Sequence, residues 1–405
     1  MVLSTRGSNL LGVGNYNQAL ILDLIRRSPD GMSRVELAEK TGLSAQTLTN
    51  VTRRLTAEGF IAEAGKVGTG PGKPRTMLAL EPSARFAIGV HLDPAVTTVV
   101  LLDLAGRIVQ HREIQPTGAS SRRQLQAISE VASDLVTSLP DPSRVLGVGI
   151  AAPGPLDTDG GLLLNPPLLP EWSDTPLREE LAMTTGLPAL LEKDVIAAMV
   201  GELWVTPAGD LGDALFFYYG AGAGVGLSLD STPLRGASSN AGDIAHLIVD
   251  PDGPACGCGA RGCLGVSLEP ATLLSEAGLR SARETTPRDP RAALDELCLR
   301  ALEGEPQPGA ALTRAAARIA RALVQLDNLL DLTDAVLGGP VWARLSPFLR
   351  PAVADALPRT GGMTTVRPLI LRESRLGTDV AAVGAACLVL DGAFTARPSH
   401  LLITD

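Results

Sequence analysis

Three cysteines crowd into eight residues, Cys256-Gly257-Cys258-Gly259-Ala260-Arg261-Gly262-Cys263, and His246 precedes them with nine residues between. This C-x-C-x4-C run constrains the chain more than any other feature. Glycines that turn tightly let three thiolates converge, and three Cys with one His complete the tetrahedral shell that Zn2+ prefers in closed, structural sites. Other thiolate-seeking metals stay open at this stage. The second ring nitrogen of His246 is left for a ligand or a neighbouring acceptor. The chain holds five Cys, an odd number unevenly spread, which argues against a disulfide framework and for a metal in a reducing, cytoplasmic compartment. Cys298 and Cys387 lie in helical contexts and read as core. His91, His111 and His400 have no such neighbours and read as incidental.

With 405 residues the chain has room for two to four domains. Hydrophobic residues at 45% and charged residues at 20% describe a folded chain, so global disorder is not expected. The longest uncharged apolar stretch, Ala214 to Leu229, is too short and too rich in Gly to span a bilayer. The N-terminus has no apolar core of a secretory signal. No membrane partner is expected. The net charge of -9 is unevenly divided: residues 1–80 carry +4 and the rest -13. An acidic body repels a polyanion, so the basic segment points to a dedicated nucleic-acid module, with chance as the bland alternative.

The first eighty residues read as a winged helix-turn-helix. Asn15 to Arg26 is a helix ending before the turn cluster Ser28-Pro29-Asp30-Gly31. Ser33-Arg34-Val35-Glu36 is a capping box for a second helix that stops near Gly42. Ser44 caps a third helix reaching about Gly59. On it Leu48, Val51 and Leu55 share one face. The opposite face carries Gln46, Thr49, Asn50 and Arg53, flanked by Ser44, Thr47 and Arg54, all suited to base edges or phosphates in a major groove. Residues 60–64 and 77–80 form a hairpin wing whose basic tip, with Lys66, Lys73 and Arg75, can reach backbone phosphate. A plain three-helix bundle is the alternative.

Residues 81–405 read as a two-lobed α/β body. Strands are expected at Phe86–Val90, Thr97–Leu102, Ile108–Ile114, Val145–Ala151, Ala189–Leu191, Ala214–Tyr219, Gly224–Leu229 and Ala335–Leu337. Helices are expected at Gln124–Leu139, Asp194–Leu203, Ala310–Asp331 and Thr378–Leu390.

Several segments together resemble the ROK family of repressors, open reading frames and kinases. They are Gly147 to Asp157 (GVGIAAPGPLD), Leu191-Glu192-Lys193-Asp194, Gly220 to Gly226 (GAGAGVG), and Arg235-Gly236 with Asn240 to His246 (NAGDIAH), then the Cys cluster. The resemblance implies an actin-like ATPase (ribonuclease H-like) body that binds a sugar, one structural zinc on His246, Cys256, Cys258 and Cys263, and a homodimer or homotetramer. The winged helix matches the repressor branch. The expected domains are 1–80 for DNA, 81–190 for the first lobe (completed by helix 376–391), and 191–375 for the second lobe with the zinc loop.

Active members are sugar kinases, and this chain departs from their pattern. The family's first phosphate loop, Asp-x-Gly-Gly-Thr, is replaced by His91-Leu92-Asp93-Pro94-Ala95-Val96-Thr97. Both glycines are gone and Pro94 removes an amide donor. The second loop keeps Gly220, Gly222, Gly224 and Gly226 but has Ala221 for Thr. Asp194 holds the place of the family's general base. Lys193 replaces the preceding Asn and Ile196 the following one. Asp243 stands for a Glu, and Gly265 for another. Asp194, Asp243, His246 and Lys193 are therefore candidate ligand contacts, with Asp194 a vestigial base. Lys193 favours an anionic ligand if it points inward, and Asp194 is read equally as a helix N-cap. The expectation is a DNA-binding regulator, a repressor, whose kinase-like body is catalytically inert and senses a sugar or sugar derivative. ATP is not an expected cofactor. The alternative is an ATP-dependent sugar kinase with an appended DNA-binding domain.

Overall fold

The computed structural model describes residues 10–68, 74–116, 120–207, 209–279, 290–362, 364 and 366–395. Three helices, α1 (Leu10–Arg26), α2 (Arg34–Thr41) and α3 (Ala45–Ala57), pack beside a small sheet of order β1-β3-β2, made of Met32–Ser33 (β1), Ile61–Val67 (β2) and Arg75–Leu80 (β3). The capping box forms: the Ser33 hydroxyl accepts from the Glu36 amide at 3.3 Å and the Ser33 amide donates to Glu36 Oε2 at 2.7 Å. Gly42 ends α2 at φ 67°, where a side chain is disfavoured. The Ser44 hydroxyl accepts from the Thr47 amide at 3.2 Å and opens α3. Leu48 and Leu55 are buried with Thr52, whose hydroxyl is satisfied by Leu48 O at 2.8 Å. The first helix starts at Leu10 rather than Asn15, because Gly12 and Gly14 blur the helical pattern of its first turns.

The first lobe is a five-stranded sheet of order β10-β7-β4-β5-β6: Phe86–His91 (β4), Thr97–Asp103 (β5), Ile108–Ile114 (β6), Val145–Ala152 (β7) and Ala189–Lys193 (β10). Every residue of β4 and β5 is buried, as their unbroken apolar runs require of strands covered on both faces. Helices α4 (Ser121–Thr137) and α5 (Leu177–Thr185) cover one face, and a small hairpin of β8 (Leu156–Asp157) and β9 (Leu162–Leu163) lies nearby. Strand β10 pairs with β7 through Lys193↔Ala152, so the first sheet extends past the expected boundary at residue 190. Helix α6 (Asp194–Val205) then carries the chain between the lobes.

The second lobe is built on the sheet β13-β12-β11-β14-β15: Ala214–Tyr219 (β11), Ala223–Leu229 (β12), Thr232–Pro233 (β13), Asp334–Gly338 (β14) and Ile370–Glu373 (β15). Its outer face is covered by α7 (Leu264–Leu268), α8 (Pro270–Glu276), α9 (Arg291–Leu302), α10 (Pro306–Leu330) and α11 (Pro340–Ala356). Between the two sheets, α6 stacks on α12 (Val380–Phe394). The stacking is close enough to need glycine. A Cβ on Gly384 would lie 2.0 Å from Ala197 O, and one on Gly149 would lie 1.7 Å from Ala385 O. The segment Gly377–Phe394 is long and apolar enough to cross a membrane by composition, but it is the buried core helix, apolar all round because it is covered all round.

The winged domain is fastened to this core. The Arg26 guanidinium stacks over the Trp204 ring, 3.6 Å from its centroid, and donates to Trp204 O and to Asp23. Phe60 meets Phe394 edge-on at 5.3 Å, and Trp204 Nε1 donates to Leu104 O at 3.3 Å.

Candidate functional site

The four metal-ligand candidates come together. Their donor atoms all lie within 4.8 Å of one another. Cys256 Sγ is 3.5 Å from His246 Nδ1, and Cys258 Sγ is 3.6 Å from Cys263 Sγ. A tetrahedral zinc with ordinary bond lengths places such atoms about 3.5–3.8 Å apart, so the donor set fits. The hydrogen bond from the Ala260 amide, with those of the neighbouring thiols, lowers the Cys258 thiol to about 7. Burial pushes Cys263 up to about 12. The loop closes through Gly262 at φ +66°, whose missing Cβ would sit 1.4 Å from Asp250 O. Buried Arg318 ties its base down, donating to Asp250 Oδ2 at 3.0 Å, Glu276 Oε1 at 2.8 Å and Ser267 O at 3.1 Å.

The metal loop is also a wall. Between the lobes lies a cavity of about 490 Å³ lined by Leu92–Pro94 and Pro153–Pro155 of the first lobe, and by Ala221–Gly224, Gly242, Asp243, His246, Cys256 and Gly257 of the second. Its floor is the start of α6 and Tyr218. A larger groove of about 690 Å³ between α4 and α5 gathers none of the candidate residues.

Asp194 is 9% exposed and occupies the first turn of α6, where Lys193 is the capping position. Its Oδ1 accepts from the Val195 amide at 2.8 Å, so it does meet an orphan helix amide from inside the helix. Burial raises its carboxyl, against the pull of His91 beside it. Lys193 points along the cavity and donates its Nζ to Asn240 O at 3.1 Å. Asn240 in turn grips Leu156 of the first lobe's hairpin, accepting from its amide at 2.7 Å and donating to its carbonyl at 2.8 Å. Asp243 is exposed and accepts from the Ala245 amide at 3.0 Å.

Three residues escaped the sequence reading. His91, read as incidental, is 5% exposed and stands edge-on to Tyr218 at 6.2 Å. Tyr218 is buried with its hydroxyl lacking any partner among the described residues. Glu269 joins the cavity rim, four positions after Gly265 and so one helical turn beyond the carboxylate that the family pattern places there. That i, i+4 offset was the available signal. His111 pairs with Asp379 at 3.3 Å away from the cavity, and His400 lies outside the described residues.

On α3, Gln46, Thr49, Asn50 and Arg53 face solvent. Arg53 Nη2 donates to Asn50 Oδ1 at 3.1 Å, which holds the two as a unit. Other candidates are already engaged: Thr49 donates its hydroxyl to Ala45 O at 2.7 Å, Ser44 and Thr47 cap the helix, and Arg54 pairs with Glu58 at 2.8 Å. Lys66 and Arg75 are exposed on the wing, while Lys73 lies outside the described residues.

Residues 87–392 match the profile of the ROK family, three quarters of the chain. The chain belongs to the ROK family. Residues 15–67 match the MarR family profile, which places a second, independent likeness on the winged domain. The xylose repressor of Bacillus subtilis (strain 168) is 27% identical over 62% of this chain and 65% of its own length. Alignments to the xylose repressors thus span about two thirds of those proteins. The DNA-binding transcriptional repressor Mlc of Escherichia coli (strain K12) is 24% identical over 90% of both chains. A glucokinase of Halalkalibacterium halodurans is 29% identical over 76% of this chain and 96% of its own. A crystal structure of a ROK family transcriptional regulator, described as a homolog of E. coli MLC protein, superposes with TM-score 0.74, 22% identity, and coverage of 95% of this chain and 97% of that one. That likeness fixes the two-lobed body and the winged domain as one ROK fold.

Proposed function

We propose that this ROK protein is a DNA-binding transcription repressor whose kinase-like body binds a sugar and does not phosphorylate it. The observation that carries the reading is the pairing of a solvent-facing α3 with a phosphate loop that has closed on itself. Asp93 Oδ1 accepts from the Ala95 amide at 2.8 Å, and Pro94 has no amide to offer. In the partner loop the Gly220 amide donates to Gly222 O at 2.9 Å. Neither loop turns these donors towards a triphosphate. The family resemblance supplies carbohydrate as the ligand class, and the names of the xylose repressor and Mlc point the same way.

Two copies present two α3 helices to an inverted repeat, with the protein's two-fold axis setting the half-site spacing. One zinc per chain sits on His246, Cys256, Cys258 and Cys263 and holds the cavity wall, in a cytoplasm that keeps the thiols reduced. Helix α6 supplies a route between the sites: it begins in the cavity at Asp194 and carries in its last turn Trp204, on which Arg26 of the winged domain stacks. A sugar that prefers one lobe arrangement shifts the DNA-competent population by its difference in affinity for the two states.

The second reading is a sugar kinase with an appended DNA-binding domain. Asp194 and the glycine hairpin favour it, as does the glucokinase likeness. Sugar-dependent ADP release abolished by Asp194→Asn would establish it and end the first reading. Operator binding, measured on the chain's own upstream DNA, decides the repressor reading. Arg53→Ala is expected to weaken specific binding by ~1–3 kcal/mol if Arg53 reads a base. Trp204→Ala is expected to leave sugar binding intact while removing its effect on DNA.

A further inference from the structure

We propose that residues 235–241 form a strap that holds the two lobes together without help from a ligand. The proposal does not depend on what fills the cavity. The strap belongs to the second lobe. It leaves β13 and is pinned to β12 at both ends: the Leu234 amide donates to Leu227 O at 2.8 Å, and the Val225 amide donates to Gly242 O at 2.9 Å. The Ala241 amide donates to Arg235 O at 3.1 Å and draws the segment into a loop.

Three contacts tie this loop to the first lobe. Arg235 Nε donates to Glu192 Oε2 of β10 at 2.6 Å. Asn240 pairs with both backbone groups of Leu156 in β8, at 2.7 and 2.8 Å. A carboxamide carries an acceptor and a donor side by side, as a peptide group does, so Asn240 docks on that hairpin much as another strand would. Its side-chain nitrogen also donates to Ser238 O at 2.7 Å, which fixes the amide's orientation within the strap. From β10, Lys193 then reaches back and donates to Asn240 O at 3.1 Å. Glu192 and Lys193 are buried, so their bonds to the strap are shielded from water and salt. The first lobe's turn at Gly154 lies directly against the strap: a Cβ there would stand 3.2 Å from Lys193 Cε and 3.3 Å from Asn240 Oδ1. Two-lobed proteins commonly close when a ligand bridges the lobes. Here the bridging groups are the chain's own. A ligand moves the lobes only by its difference in affinity for the two arrangements, so the strap sets how far closure precedes binding.

The test uses the full-length, metal-loaded protein with no ligand added. Hydrogen exchange read by mass spectrometry should show the Leu156 amide protected in the wild type. It should exchange at least tenfold faster in Asn240→Ala and in Arg235→Ala, with β4 and β5 unchanged. The unchanged core separates loss of the strap from a general loss of stability. Spin labels on azido residues at exposed Met183 of α5 and exposed Leu299 of α9, clear of the metal thiols, report the distance between the lobes. The wild type should give a narrow distribution, and both variants a broader one with a longer mean. Lys193→Met, which removes only the donation to Asn240 O, should fall between. If Arg235→Ala does not fold because it strands Glu192, Asn240→Ala carries the test alone. Equal exchange at Leu156 in wild type and Asn240→Ala overturns the strap, as does acceleration shared equally by the core. Faster exchange at Leu156 with unchanged distances between the lobes also overturns it, since the loop is then a local anchor. None of these readings uses DNA: a wild type that binds none of its upstream DNA ends the repressor reading and leaves the strap standing.

Discussion

The metal loop and the phosphate side of the cavity border the same space, yet they treat their residues in opposite ways. In the loop four ligand atoms converge, Gly259 and Gly262 take the positive φ that the turn requires, and Arg318 satisfies the acids at its base. Across the cavity a buried carboxylate lies beside a second one and beside a hydroxyl with no partner among the described residues. The first region has the marks of residues kept for stability. The second carries unfavourable burial, as functional sites do. A wall that must stay rigid and a floor that must respond are therefore separable by mutation.

The largest effect is expected at Cys263→Ser. Losing a ligand forfeits metal binding that contributes ~10 kcal/mol in isolated zinc-finger peptides, and the surrounding core recovers only part of it. Elemental analysis should find about one zinc per wild-type chain and less than a tenth of that in the variant, with a large fall in melting temperature. A stable, metal-free wild-type protein would break the contrast outright. Next comes Gly262→Ala, where a methyl would meet the Asp250 carbonyl at a left-handed φ. A loss of about 3 kcal/mol is expected from clash and strain together, read by denaturant unfolding.

Asp194→Asn should move the other way and raise stability at neutral pH by a small amount. The raised carboxyl means that the folded protein keeps its proton where the unfolded chain has lost it. Above the ordinary value of 3.8 the unfolded chain binds fewer protons, so wild-type stability falls as pH rises through the folded pKa. The Asn variant lacks this decline, and the two melting curves should converge towards acid. Equal pH profiles would show that the floor carries no such burden.

Legibility followed distance along the chain. The capping box at Ser33 and Glu36, the turn at Gly42 and the cap at Ser44 are local devices, and each forms as read. The strands Ile108–Ile114 and Ala214–Tyr219 match their expected bounds to the residue. The metal cluster was also readable, since three of its ligands lie within one loop. What was not readable is convergence: His91, Asp194 and Tyr218 come from the ends of different strands and helices. Helix α11 was missed because Pro347 and Pro351 inside it mimic breaks. Helix α12 was legible as Thr378–Leu390 from its unbroken apolar run, although both sides of it are core and it has no amphipathic face.

Arg26 over Trp204 has one more consequence. The chain has three tryptophans. Trp172 and Trp342 are sealed inside the first and second lobes, while Trp204 alone lies at the seam with the winged domain, under a guanidinium. With the other two changed to Phe, the remaining indole becomes an intrinsic optical gauge of that seam. Its emission should shift when the reading head lifts off the body, without any label being attached.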